Sequence, residues 1–311
     1  MTENLAHLNE DARSFVELDD EARVNYVNRP RWFGHRAAVK AALMMAYVFE
    51  QRAFNRPKNF LLVGQPGSGK TTIIDQFIKK YDSHNDEKGG IISYKILKVT
   101  MPHEPDIEMF FQNVYEALKV PHTAFELWRR KRRLLEFYAT ELLQRSKTRV
   151  LIIEDLHSIG SGTERIQLAF LQMLRVLGRK LNTGFVFTGV PRVRSVLRLD
   201  DQILASTSEM ELPKWEVEAD ILSFSRSFLK TMPLREPSRI DRDFVMLLAK
   251  RSEGRLDYLC DELKAAVITA IRSKREMVDF TVLQESPGWP TIVVTDPPFQ
   301  RPERTREASA V

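Results

Sequence analysis

The chemistry of this chain starts at Gly64-Gln65-Pro66-Gly67-Ser68-Gly69-Lys70-Thr71, which matches GxxxxGK[ST] in full. An apolar run, Phe60-Leu61-Leu62-Val63, leads in, and Ile74, Phe77 and Ile78 follow at helical spacing, so the motif lies between a buried strand and a helix. Gly64, Gly67 and Gly69 give the backbone dihedrals closed to other residues, so that successive N–H groups converge on one anion. Lys70 places a point charge against the β and γ phosphates of ATP, and Thr71 offers a hydroxyl to Mg²⁺. The helix N-terminus at Thr71 and Thr72 adds its partial positive charge. Gln65, Pro66 and Ser68 complete the expected cradle.

A second constellation closes the run Val150-Leu151-Ile152-Ile153, a buried strand that ends in Glu154-Asp155-Leu156-His157. A carboxylate at the end of such a strand, opposite a phosphate loop, is where these folds hold Mg²⁺ and orient the attacking water. Glu154 is the expected metal ligand beside Thr71, and Asp155 the expected water-orienting group. The usual order is Asp then Glu. Reversal leaves Asp155 one C–C bond, ~1.5 Å, short, and a misplacement of ~1 Å can cost roughly 10²-fold in rate, so slow hydrolysis is expected. Gly184 to Thr188 reads as another strand, with the Thr188 hydroxyl where a γ-phosphate sensor would lie. Arg192, Arg194 and Arg198 follow at helical spacing, one of them able to cross a subunit boundary.

A third feature is basic: Trp128-Arg129-Arg130-Lys131-Arg132-Arg133 opens onto Leu134, Leu135 and Phe137 in a helical pattern from about Thr123 to Gln144. Consecutive cations wrap a helix at 100° each, so about half can face one partner. Clustered charge without base-reading chemistry implies salt-sensitive, sequence-tolerant contact with the backbone of double-stranded DNA. A solvated face whose arginine stems cover core surface is the alternative.

The elements that must position these residues follow from periodicity and composition. The 311 residues allow a core domain of about 200 residues and a smaller one, and a 43% apolar fraction marks a globular chain. Lys plus Arg exceed Asp plus Glu by 47 − 42 = +5, which fits a nucleic-acid partner. Cys260 is the single cysteine, which argues against disulfides and cysteine metal sites and for a reducing cytoplasm. No apolar run approaches 18 residues and the N-terminus is no signal peptide, so no membrane partner is expected.

Residues 1–22 carry few large apolar side chains and are expected to be loosely held. After Arg29-Pro30-Arg31-Trp32-Phe33 a helix is expected from Ala37 to about Phe54, with Val39, Leu43, Tyr47 and Val48 on one face. A strand at Ile91–Thr100 and helices at about Asp106–Leu118 and Glu164–Leu181 follow. From Trp215 the pattern is wholly helical, with Asp241 placed to cap one helix and Gly254 to end it. Residues 286–311 are proline-rich and read as a flexible tail.

The order of parts resembles the TniB and TnsC branch of AAA+ ATPases, relatives of MuB that serve transposition. The resemblance is carried by the phosphate loop, Glu154-Asp155-x-His157, Gly189 followed by Asp201-Gln202, Leu212-Pro213-x-Trp215, and the Arg29-Pro30-Arg31-Trp32 entry, and it spans about Val24 to Leu283. It implies a three-layer α/β AAA+ domain with a parallel sheet at 23–214. An α-helical lid at 215–285 would follow, in which Arg255 resembles the sensor arginine that reaches nucleotide. It also implies an ATP-dependent homo-oligomer, ring or helical filament, on double-stranded DNA, with a DDE transposase and a TniQ-type target-selection protein as partners. Members of the branch carry Asp-Glu at the strand end, Thr after the glycine matching Gly189, and Arg four residues after the Gln matching Gln202. This chain has Glu154-Asp155, Val190 and Ser206, so nucleotide-dependent assembly is implied ahead of fast hydrolysis. Replication-initiator and helicase-loader switches share the domain plan. A nucleotide kinase is a third reading, for which no acceptor-pocket motif is present.

Overall fold

The computed structural model describes residues 5–51, 57–81, 94–121 and 132–288. The chain divides into two compact units, one of Trp32–Lys214 and one of Met1–Arg31 with Trp215–Val311. Helices α1 (Glu10–Arg13) and α2 (Asp20–Val27) belong to the second unit.

The larger unit runs α3 (Arg36–Glu50), β1 (Asn59–Val63), α4 (Lys70–Tyr81), β2 (Ile96–Thr100), α5 (Ile107–Ala117), α6 (Arg132–Arg145), β3 (Val150–Glu154), α7 (Glu164–Leu181), β4 (Gly184–Gly189), α8 (Val193–Leu197), α9 (Asp201–Ser206) and β5 (Thr207–Glu211). The strands form one five-stranded parallel sheet in the order β2-β3-β4-β1-β5. β1, β3 and β4 are buried along their whole length. Strands covered on both faces have no polar side to display, which is why each reads as an unbroken apolar run. Leu61, Leu151, Ile153, Phe185 and Phe187 pack toward α5, α6 and α7, whereas Phe60, Leu62, Ile152 and Val186 pack toward α3 and α4. Each such side chain stabilises the fold by roughly 1.5–3 kcal/mol relative to exposure.

Helix α3 departs from expectation. Of its expected face only Val48 is buried; Val39, Leu43 and Tyr47 are 53%, 65% and 58% exposed. The buried face is Ala38, Ala41, Met45, Val48 and Phe49. Small side chains let the helix lie close on the sheet, so close that a Cβ on Gly184 would come within 2.6 Å of Val48 Cγ1. The helix stops at Glu50, and residues 52–56 lie outside the described residues. β2 begins at Ile96 instead of Ile91, residues 91–93 also lying outside. Helix α5 is capped at its start, the Asp106 carboxylate accepting the N–H groups of Glu108 and Met109. β5 was not expected at all: Thr-Ser-Glu-Met-Glu has no apolar run, and its half-exposed pattern is that of a sheet edge.

The second unit holds α10 (Glu218–Leu229), α11 (Arg242–Ser252), α12 (Leu256–Arg272) and α13 (Phe280–Glu285), the helices expected after Trp215. Asp241 caps α11 through the Phe244 N–H at 2.8 Å, and Glu253 and Gly254, at φ 52° and 74°, end it. The N-terminal segment is a correction. Residues 5–31 are folded against these helices, and the unit boundary falls after Arg31 instead of at residue 23. Leu8, Ala12, Val16 and Tyr26 form a small cluster, and the Asn9 N–H donates to the Lys230 carbonyl at 2.9 Å. Arg23 is fully buried, donating to the Pro233 carbonyl at 2.7 and 3.1 Å and pairing with Glu276. A small apolar cluster and one buried arginine hold a segment whose composition alone looks too polar to fold. Residues 289–311, most of the expected tail, lie outside the described residues. Among the described residues no helix is long and apolar enough to cross a membrane.

Candidate nucleotide-binding site

β4 lies between β1 and β3, pairing Val63 with Gly189 and Ile153 with Phe187. The phosphate loop after β1 and Glu154 at the end of β3 therefore face each other across one strand, roughly 10 Å apart at the sheet's C-terminal edge. In open parallel sheets this edge is where ligands bind.

The loop is shaped by glycine where sequence demands it. Gly67 and Gly69 take φ of 74° and 86°, and a Cβ on Gly64 would sit 2.4 Å from Ser68 Oγ. The Gly64 N–H donates to the Gly189 carbonyl at 3.1 Å, which ties the loop to β4. Lys70 Nζ donates to the carbonyls of Gly64 and Gln65 at 2.8 and 3.0 Å, bonds to neutral acceptors that an anion would displace. Burial lowers its pKa, with Asp155 and Glu154 pulling the other way, so the ammonium and both carboxylates share one site. Ser68 Oγ is buried without a hydrogen-bond partner. Gln65, Pro66, Thr71 and Thr72 are exposed at the mouth.

These features fit a polyphosphate: glycine-formed concavity, a held cation and an orphaned buried hydroxyl. Thr71 and Glu154 offer the hard oxygen donors that Mg²⁺ prefers. Among the described residues no group of three His, Cys, Asp or Glu could hold a metal by itself. An ion here would draw its remaining ligands from phosphate and water.

Glu154 is buried, its carbonyl accepting the Met101 N–H at 2.9 Å. Lys98 of β2, which sequence reasoning missed, places Nζ 2.6 Å from Asp75 Oδ1 on α4 and 3.8 Å from Glu154 Oε2. A lone lysine inside an apolar strand is the signal that could have found it. Asp155 is left-handed at φ 57°, ψ 36°, a conformation Asp tolerates at some cost. Its carboxylate is half exposed and lies 3.8 Å from His157 Nδ1. That nitrogen is buried without a hydrogen-bond partner. Burial lowers the His157 pKa, Asp155 opposes, and the charges of Arg192 and Lys70 lower it further. The imidazole is thus held toward its neutral form beside Asp155.

Thr188 is buried in β4 opposite Leu62. Of the three arginines considered for a role in a neighbouring protomer, Arg194 is committed within its own chain, bonding Glu209 at 2.7 Å and Glu211 at 2.6 Å. Arg192 and Arg198 are exposed. Ser206 closes α9 and accepts a hydrogen bond from the Asn59 amide at 3.1 Å. Arg255, in the other unit, caps α12 by position; its guanidinium stacks 3.8 Å from the Tyr258 ring centroid and bonds Asp257 at 2.6 Å. Arg129, Arg130 and Lys131 of the basic run lie outside the described residues, and Arg132 and Arg133 begin α6.

Solved structures share this architecture. The ORC1 protein of Aeropyrum pernix in complex with DNA matches with a TM-score of 0.58 at 16% identity, over 85% of this chain and 68% of that one. The ORC2 protein of the same organism, in ADPNP-ADP complexes, matches at 0.58 and 15%, over 85% and 71%. CDC6P from Pyrobaculum aerophilum matches at 0.56 and 13%, over 82% and 68%. Identities this low speak to the fold, that of P-loop AAA+ ATPases, and to nothing finer. No curated protein matches the sequence. The family model described as "Bacterial TniB protein" matches residues 23–217, which is 217 − 23 + 1 = 195 of the 311 residues. The chain therefore belongs to the TniB family, built on the AAA+ fold.

Proposed function

We propose that this chain is an ATP-dependent DNA-binding regulator of transposition, acting in the cytoplasm. With ATP and Mg²⁺ it oligomerises on target double-stranded DNA, recruits or activates a DDE transposase, and bridges to a TniQ-type target-selection protein. The observation that carries the reading is the phosphate loop facing Glu154 across β4 in a chain of the TniB family. Bound nucleotide would supply the anionic group that joins these elements. Lys70 would exchange its two loop carbonyls for phosphate oxygens, Thr71 and Glu154 would hold the metal, and Thr188 would serve as the γ-phosphate sensor. Asp155 would orient the attacking water, and its short side chain would make hydrolysis slow. Arg255 would serve as the sensor arginine, and the Arg129–Arg133 run would meet the DNA backbone.

Imaging of particles with duplex DNA and either ATP or a non-hydrolysable analogue tests this reading. Assembly with both, lost in Lys70→Ala and kept in Asp155→Ala, is the expected pattern. Calorimetry of folded protein showing no heat with magnesium and ATP would overturn it. Replacing Arg129, Arg130, Arg132 and Arg133 by Ala should weaken binding alike on all duplex sequences. It should also flatten the salt dependence by up to ~0.9 for every phosphate that is no longer neutralised. A replication-initiator or helicase-loader switch, which shares the domain plan, is the second reading. ATP-dependent filaments on DNA in the absence of any helicase would decide against it.

A further inference from the structure

The phosphate loop uses the C-terminal edge of the sheet, and the N-terminal edge is basic. Here α3, α4, α6 and α7 end and β1 to β4 begin. Lys58, Lys80, Lys147, Arg149, Arg179 and Lys180 are exposed on it, whereas the exposed acids among the described residues of this edge are Glu50 and Asp201. That is an excess of 6 − 2 = +4, comparable with the +5 of the whole chain. Arg145 is not counted, because Glu141 lies 3.8 Å from it.

The cations form one border. Arg149 stacks 5.4 Å from the Phe49 ring centroid, Phe49 lies 5.5 Å from Tyr81, and Lys80 lies 5.4 Å over Tyr81. On the other side the Thr183 hydroxyl donates to the Thr148 carbonyl at 3.1 Å, and the Gln144 amide donates to the Lys180 carbonyl at 3.3 Å. These bonds set Lys147 and Arg149 beside Arg179 and Lys180. The border then opens into a cavity of about 450 Å³ between α7 and α9, walled in part by Lys58, Asn59, Arg175, Arg179, Asp201 and Gln202. Arg179 donates to the neutral Gln202 amide oxygen at 2.7 Å. Arg175 Nε is buried without a hydrogen bond, 3.4 Å from Asp200 Oδ2 and not aligned on it. Asp200 Oδ1 is already taken by the N–H groups of Gln202 and Ile203 at 3.0 Å. The guanidinium donors that the fold leaves available here are those a phosphate oxygen would satisfy.

We infer that the backbone of double-stranded DNA lies across this edge, with one phosphate seated by Lys58, Arg175 and Arg179. The inference rests on the DNA-binding reading above and adds a second surface to it. Helix α6, 14 residues and about 21 Å long, separates Arg132 and Arg133 from this edge. Five strands make the edge roughly 19 Å wide. Over that length of duplex one strand carries about six phosphates. Cations strung along it without base-reading groups hold a backbone and ignore its sequence.

Duplex binding across a salt series tests it, with the full chain carrying Lys58→Gln, Arg179→Gln and Lys180→Gln. Binding should weaken by at least ~10-fold on every duplex sequence. The slope of log affinity against log salt should flatten by up to ~2.7, three phosphates at ~0.9 each. Melting temperature and nucleotide binding by calorimetry should match the wild type, since these side chains lie at the edge away from the phosphate loop. Glu50→Lys should act in the opposite sense, tightening binding and steepening the slope. A slope that neither variant moves overturns this surface alone, as does a loss confined to some sequences. Binding to phosphatidylserine vesicles that needs the three side chains, with duplex binding that does not, overturns it in favour of a lipid surface. Wild-type protein that binds no duplex with ATP at low salt overturns both this surface and the DNA-binding reading.

Discussion

Arg23 and Lys70 are cations withdrawn from water in the two units of the chain, and they are treated in opposite ways. Arg23 is fully buried and saturated: its guanidinium pairs with Glu276 and donates to the Pro233 carbonyl. Among the described residues Lys70 is held by two carbonyls of its own loop, next to an orphaned Ser68 hydroxyl. A charge that serves structure is given all its partners within the fold. A charge that serves a ligand is parked on acceptors it can leave. The same contrast extends to the backbone, where Gly67, Gly69 and Asp155 gather left-handed conformations around the site.

The contrast breaks most easily at Arg23. Arg23→Leu leaves Glu276 buried without its partner and should cost ~3–5 kcal/mol in denaturant melts. Adding Glu276→Gln should recover part of that loss. Lys70→Ala should do the reverse, weakening nucleotide binding by about 100-fold or more in titrations while moving stability by less than ~1 kcal/mol. If Lys70→Ala were as destabilising as Arg23→Leu, the division between held and available charge would be wrong. Gly64→Ala comes next: its Cβ clashes with Ser68 Oγ, and ~1–3 kcal/mol of destabilisation is expected, partly relieved by Ser68→Gly.

The smallest expected effect sharpens the comparison through pH. The folded-state pKa of His157 lies below the 6.5 of a free imidazole, first because of burial. The unfolded chain then takes up a proton before the folded one does. Stability from His157 is complete above pH 6.5 and declines as pH falls from there toward the folded pKa. His157→Asn should flatten that stretch of a stability-against-pH curve. An unchanged slope would mean that the imidazole is not held neutral beside Asp155.

Those residues differ in how readily the sequence discloses them. The phosphate loop and the ends of β1, β3 and β4 were legible because glycine spacing and unbroken apolar runs are dictated by the same burial that builds the sheet. α3 was placed correctly and turned the wrong way, since Ala38 and Ala41 carry the close approach to the sheet and weigh little in any hydrophobic pattern. β5 was illegible because an edge strand with Glu209 and Glu211 has no buried face to pattern. The N-terminal segment was illegible for another reason: Arg23 reads as surface unless Glu276, 253 residues later, is known to meet it. Local periodicity reports local burial, whereas long-range partners leave no periodic trace.

The bridge from Arg194 to Glu209 and Glu211 has a consequence of its own. Among the described residues β5 pairs with β1 alone, and the outer border of an edge strand offers backbone groups to any passing extended chain. Two carboxylates fastened by a guanidinium fence that border with charge. An edge fenced in this way resists strand-by-strand zipping with the sheet of another chain, and that protection does not depend on how concentrated the protein becomes.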